Sequence, residues 1–374
     1  MIYLDNAAST EPSNEVYKMF NDYCDVYSNP SSIHSFGREA FGIIDNARKI
    51  FRNKLNADQD DQILFTSGAT MSNNVFIQGF MNRYPKAALI VSKIEHKDIL
   101  LLADYLKLHN RDVYYIPVHQ DGRICMDVLE DICFKMKKQN KRFLCSIQAA
   151  NGECGVIQDY IWISKIVHMY GGIYHSDVTQ YIPYYPINME CWGIDAISMS
   201  GQKIGGIKGS GLLVVRQRLR DHIKPIIYGE QGLIGGTPST PLIASLGTAF
   251  DEIDYDNVSC IKENRDYLLS CLKDMGGILV GTEENRLPNN IYIRFPGVGG
   301  LNLMHLLDEQ EIYVGTGSAC STDSDIPSHV AKAYGLTDKE AMECVRFTLG
   351  EETTYEEIEY VVKVLKGILS LIIH

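Results

Sequence analysis

The sequence predicts an α/β protein: a large domain on a mostly parallel sheet, joined to a small α+β domain near the C-terminus. Three observations predict it. Short apolar β-rich runs alternate with helical patterns from about residue 62 to 215, the rhythm changes around Pro238–Leu246, and the composition is globular. The 374 residues are 45% hydrophobic and 22% charged, which excludes wholesale disorder. The first strand, Ile63–Thr66, ends in Ser67-Gly68, and Thr70–Gly79 follows as a helix. Ala88–Ser92 is the second strand, with helical spacing after it at Ile99, Leu100, Leu102 and Tyr105. Val113–Val118, Phe143–Ile147, Ile173–Ser176, Ala196–Ser200 and Gly211–Val215 continue the series, with helices at Met126–Lys137 and Tyr160–His168. Apolar spacing then predicts one long connecting helix over about Pro241–Met275. Beyond it come Asn290–Phe295, a helix near Leu301–Leu307, a strand at Cys344–Leu349 and a final helix from Thr354. The expected division is residues 13–250 for the large domain, with 1–12 and 251–374 forming the small one.

Charge narrows the function. Thirty-five Lys and Arg against 47 Asp and Glu leave a net charge of −12, so no nucleic-acid partner is expected. The basic piece Lys135, Lys137, Lys138, Lys141, Arg142 reads as a solvated helix end. The opening MIYLDNAAST has no basic stretch before an apolar core, and no apolar run approaches the roughly 20 residues that span a bilayer. A cytoplasmic protein without membrane attachment is expected. Ten cysteines are scattered with no CxxC pair or zinc-type cluster, so neither a metal site nor disulfides are expected.

Five segments carry chemistry. Ser198-Met199-Ser200-Gly201-Gln202-Lys203 is a strand of small residues ending in a lysine, followed by the glycine-dense Gly205–Gly211. A lysine desolvated there has a lowered pKa and an amine free to form a Schiff base, and the glycines would let backbone pass close to a bulky planar cofactor. Taken alone, it also reads as a surface lysine before a hairpin strand. Tyr174–Gln180 is an apolar strand ending in Asp177, either a partner for a pyridinium nitrogen or a helix cap. Thr66–Asn74 is a strand, a small-residue turn and a helix start, suited to a lone phosphate group or to an ordinary cap. Finally, Cys320 lies between small residues in a polar stretch that suits an exposed thiol, and Arg346 sits in an apolar strand where it must face a carboxylate.

Ten segments stand in one order: Tyr3–Ala8, Asn29–Arg38, Ser67–Thr70, Glu95-His96, Asn151–Gly155, Asp177–Gln180, Lys203, Gly317–Cys320, Pro327–Val330 and Arg346–Gly350. On these the chain resembles the cysteine desulfurases, pyridoxal-phosphate enzymes of the class V aminotransferase group with fold-type I architecture, over almost its whole length. The resemblance implies pyridoxal 5′-phosphate as cofactor, L-cysteine as substrate, and a homodimer with active sites near the subunit interface. It implies that Lys203 carries the cofactor and acts as base, Asp177 partners the ring nitrogen and His96 stacks on the ring. Ala69, Thr70, Ser200, Gln202 and Thr237 (the last from the other subunit) would hold the phosphate. Gln180 would reach the ring hydroxyl, and Asn151 falls in a cofactor-binding segment. Arg346 would bind the substrate carboxylate, and Cys320 would accept sulfur as a persulfide, with alanine released. The ten residues from Cys320 to His329 are similar to the long-loop branch, whose members pass the persulfide to scaffold or carrier proteins for uses such as iron–sulfur cluster assembly.

The chain departs from that pattern around the cofactor. Gln202 stands for a histidine, Gly152 for an asparagine, Met71 for an acid and Ile234 for an arginine, and the longer C-terminal tail on which some members dock a scaffold is not seen. Two alternatives follow: a divergent fold-type I enzyme (selenocysteine lyase, β-eliminating lyase or aminotransferase), or a non-catalytic sulfur-transfer adaptor. His34, His175 and His329 read as structural.

Overall fold

The computed structural model describes residues 1–229, 232–317 and 326–372; Cys320 lies outside the described residues. A central seven-stranded sheet runs in the order Gln62–Thr66, Gly211–Val215, Ala196–Ser200, Ile173–Asp177, Phe143–Ser146, Ala88–Ser92, Asp112–Ile116. All neighbours are parallel except Gly211–Val215, which is antiparallel to both strands beside it. Strands buried on both faces, such as Ala88–Ser92 and Ala196–Ser200, are continuous runs of small and β-branched residues, as a covered parallel sheet requires.

Helices Ala69–Arg83 and Lys97–Leu108 lie against the sheet, burying Phe76, Phe80, Ile99 and Leu102. Helix Ser35–Lys54 buries Ala40, Ile44, Ala47 and Phe51, a helical stripe. It packs on Thr240–Asp251, where the Phe51 and Phe250 rings stack at 4.4 Å. Full burial of a side chain such as Phe51 stabilises the fold by about 1.5–3 kcal/mol.

The single helix expected over Pro241–Met275 is two, Thr240–Asp251 and Val258–Asp274. Asp254 accepts from the Asp256 N–H at 2.9 Å and from Asn257 Nδ2 at 3.1 Å, so local side-chain bonding outcompetes the helical ladder between them. Three short strands lie outside the expected series. Ile2–Leu4 pairs in parallel with Ile312–Val314, and Ile278–Leu279 joins Asn290–Arg294, which also pairs with Cys344–Thr348. Among the described residues no helix is long and apolar enough to cross a membrane.

Candidate active site

Five parallel-sheet strands end at one place, and the segment leaving each carboxyl end contributes to it. A cavity of about 690 Å³ is lined by Ala69, Thr70, His96, Asn151, Asp177, Gln180, Ser200, Gln202, Lys203 and Arg346. Ten of the twelve residues singled out as site candidates are thus brought together, at the place where open α/β sheets bind ligands. Thr237 is not among the lining residues and is exposed on this chain.

One end of the cavity suits an anion. Helix Ala69–Arg83 opens after Gly68 with no side-chain cap, so its first N–H groups have no side chain to answer them. Gly68 has φ +149°, and the Gly211 backbone passes so close that a Cβ at 211 would stand 2.4 Å from the Gly68 Cα. Within the glycine-dense segment, Gly211 is thus required where backbone packs against the backbone of the Gly68 turn. Ser200 Oγ donates to Gln202 Oε1 at 2.7 Å beside that turn. Lys203 follows on a single 3₁₀ turn and donates from Nζ to the Ala8 carbonyl.

Asp177 ends its strand as a buried carboxylate. It accepts from the Thr179 N–H at 3.0 Å, which is cap-like, and from Asn73 Nδ2 at 3.0 Å. Burial first, and the charge of Asp98 second, raise its pKa. Both donors are neutral, so a cationic N–H in the cavity complements this acid. His96 Nδ1 lies 2.8 Å from Asp98 Oδ1. Burial alone would raise Asp98, but the His96 hydrogen bond and charge, then Asn73 and the Ile99 N–H, hold it below its ordinary value. Gln180 Nε2 donates to the Ala7 carbonyl at 3.0 Å, and a Cβ at Gly152 would stand 2.9 Å from that nitrogen. Gln180 therefore uses the space a side chain at 152 would take. Asn151 lines the cavity, but its amide is spent on the turn: it donates to Ile94 O at 2.8 Å and accepts from the Glu153 and Cys154 N–H groups at 2.9 Å.

Arg346, on strand Cys344–Thr348, faces a protein carboxylate: Nη2 is 2.7 Å from Asp5 Oδ1, and Nη1 donates to Gly152 O at 3.0 Å. Its Nε is buried without a partner. Thr316 and Gly317 line the same cavity, and Cys320 stands three residues after Gly317 in the sequence. Among the described residues no cluster of His, Cys, Asp or Glu could hold a metal.

Sequence reading missed five polar residues here: Asn73, Glu95, Asp98, Gln148 and Glu153. Asn73 sits one turn after Thr70 and Asp98 two residues after His96, spacings that could have drawn attention to both. Glu153 accepts from Ser328 Oγ, and burial pushes its carboxyl up to about 7. His175 bonds Ser146 and Ser198, each at 2.9 Å, and stacks on Phe76, with burial lowering its pKa to about 3. That is a structural role.

Glu95 is fully buried beneath His96, accepting from Ser92 Oγ and the Gln148 N–H, and burial pushes its pKa up to about 8 from 4.5. A carboxyl raised on folding favours the folded state below its unfolded value, and that contribution is lost as pH rises to the folded one. The melting temperature of E95Q minus that of the wild type should therefore climb between pH 5 and pH 8. A pH-independent difference over that window would contradict this.

The donor set fits pyridoxal 5′-phosphate: uncapped helix N–H groups for the phosphate, a buried acid for the ring nitrogen and a lysine amine for the aldehyde. Comparison with known proteins points the same way. Residues 2–361 match the family described as Aminotransferase class-V. A cysteine desulfurase IscS of Dictyoglomus turgidum is 36% identical, over 99% of this chain and 94% of its own. Cysteine desulfurase IscS 1 of Archaeoglobus fulgidus is 35% identical over 99% and 97%. Among solved structures, a NifS-like protein superposes with TM-score 0.90 at 30% identity, over 99% of each chain. A structure described as SspA in complex with cysteine gives 0.82 at 29%, covering 95% of this chain and all of that one.

Proposed function

We propose that this chain, which belongs to the class-V aminotransferase family, is a pyridoxal-phosphate-dependent cysteine desulfurase that converts L-cysteine to L-alanine and leaves sulfur on Cys320. One observation carries the reading: Lys203, Asp177 and Arg346 meet in a single cavity whose wall includes Gly317, three residues before Cys320. The cysteine desulfurase names of its relatives support it.

Each residue then has a task. The N–H groups of Ala69 and Thr70, with Ser200 and Gln202, would hold the phosphate; Asp177 would keep a proton on the ring nitrogen; His96 would lie against the ring and Gln180 near its hydroxyl. When bound, the cofactor supplies an electron sink at the substrate's Cα. Arg346 orients the substrate by its carboxylate, and its buried, unpartnered Nε is a donor in reserve for that contact. Lys203 Nζ takes the Cα proton as general base and returns a proton to the product. The Cys320 thiolate attacks the substrate sulfur, so that the carbon–sulfur bond breaks as the new sulfur–sulfur bond forms. None of the nine cysteines among the described residues lines the cavity, which supports giving this step to Cys320.

The functional unit is a homodimer, supported by the exposed apolar side chains Tyr27, Ile33, Phe41 and Tyr228, which a second copy would cover. Thr237, exposed on its own chain, would then serve the partner's phosphate site. The sulfur passes on to an acceptor protein.

The test is product analysis. The loaded protein, given L-cysteine and a thiol reductant, should release alanine, while pyruvate or another keto acid as the main product would overturn the reading. Arg346→Lys keeps the charge opposite Asp5 but loses the planar fork, and should lower kcat/KM for L-cysteine about 10- to 100-fold, mainly through KM. An unchanged KM would place the carboxylate elsewhere.

A further inference from the structure

His96, Asp98, Asn73 and Asp177 form one hydrogen-bonded line. His96 Nδ1 is 2.8 Å from Asp98 Oδ1, and the Asn73 amide gives one N–H to Asp98 Oδ2 at 3.1 Å and the other to Asp177 Oδ2 at 3.0 Å. The line crosses three elements, since Asn73 lies on helix Ala69–Arg83, Asp98 in the first turn of Lys97–Leu108 and Asp177 at the end of its strand. Asn73 is fully buried, and Asp98 and Asp177 are nearly so.

The orientation of the Asn73 amide follows from its neighbours. Turned over, it would set its oxygen against two carboxylates. As placed, both N–H groups are used and Oδ1 is buried without a partner. Leaving a buried acceptor unmet costs about 1–3 kcal/mol, a cost accepted where the two donated bonds are worth more. The bonds bridge two like charges that would otherwise face each other in a poorly solvated place. The charge of Asp98 raises Asp177, and Asn73 lowers both acids.

We propose that Asn73 and Asp98 are positioning residues of this site: Asn73 joins the two carboxylates so that Asp177 stays ionised and aimed into the cavity, and Asp98 anchors His96 from behind. The inference rests on the reading that Asp177 meets the cofactor's ring nitrogen and His96 its face. The two groups expected to contact the ring are thereby set by one shared structure, and a change at Asn73 reaches both.

The test is a double-mutant cycle on the full chain, with pyridoxal 5′-phosphate affinity measured by equilibrium dialysis. Asn73→Ala exposes Asp177 to the Asp98 charge and should raise the dissociation constant at least about tenfold. Asp98→Asn removes that charge but keeps an amide oxygen that can accept from His96 Nδ1, so it should weaken binding by less than Asn73→Ala does, whereas Asp98→Ala, which releases His96, should weaken it more than Asp98→Asn. The double variant should bind within about threefold of Asp98→Asn, a rescue that a merely space-filling role for Asn73 would not show. Unchanged affinity in Asn73→Ala, or no rescue in the double variant, overturns the proposal. If the wild type takes up no cofactor, the reading above falls, and the line is judged on the cofactor-free protein. There Asn73→Ala should melt several degrees lower at pH 8 and Asp98→Asn should restore most of the loss; no loss or no recovery overturns it.

Discussion

Lys203→Ala should abolish alanine formation from L-cysteine, with a loss of about 10³-fold or more, while the variant still binds pyridoxal 5′-phosphate non-covalently. The size follows from the two duties proposed for one amine, to anchor the cofactor and to move the Cα proton, since a positioned general base alone contributes about 10²–10⁴-fold. The proposed non-covalent holders, the uncapped helix start at Ala69 and the carboxylate of Asp177, are untouched by the change. Borohydride treatment followed by peptide mapping should find the cofactor on Lys203 in the wild type and nowhere in the variant. Activity in Lys203→Ala within tenfold of the wild type would remove this residue from the mechanism.

Cys320→Ser should lose at least about 100-fold in alanine formation, with cofactor content and KM for L-cysteine close to those of the wild type. A serine hydroxyl at neutral pH is a far poorer nucleophile than a thiol, so the sulfur-transfer step loses its acceptor while everything before it survives. No cysteine among the described residues lines the cavity. Cys133 and Cys344 are buried with their thiols pushed up to about 12 by burial, Cys145 is buried with its thiol also pushed well up by burial, and Cys154 is buried under the Tyr334 hydroxyl. Cys24, Cys191 and Cys260 are exposed but do not line the cavity.

Legibility in the sequence followed the strength of local signals. Ala88–Ser92, Ala196–Ser200 and Gly211–Val215 were readable to the residue because each is an unbroken buried run with turn chemistry at its ends. Ile2–Leu4 and Ile312–Val314 were not, since three residues carry no periodicity and their pairing spans almost the whole chain. The split between Asp251 and Val258 is set by Asp254 bonding its own neighbours, a competition invisible to apolar spacing. At the site, Lys203, Asp177 and Arg346 announced themselves by unusual residue types at element ends or in an apolar strand, whereas His96 was reached only through the family resemblance. Asn73 and Asp98 did not announce themselves, because a polar residue inside a helix pattern reads as solvent-facing until the packing shows it buried. Glu95 and Glu153 lie in turns, where a carboxylate reads as solvated until the packing shows it buried.

The central claim is that sulfur leaves L-cysteine by way of Cys320. It is tested most directly by a single turnover, with stoichiometric L-cysteine, no reductant, and mass analysis of the Cys320 peptide alongside alanine. The account predicts one alanine formed for each sulfur atom added to that peptide. Alanine without protein-bound sulfur, or sulfur on any other cysteine, would contradict it.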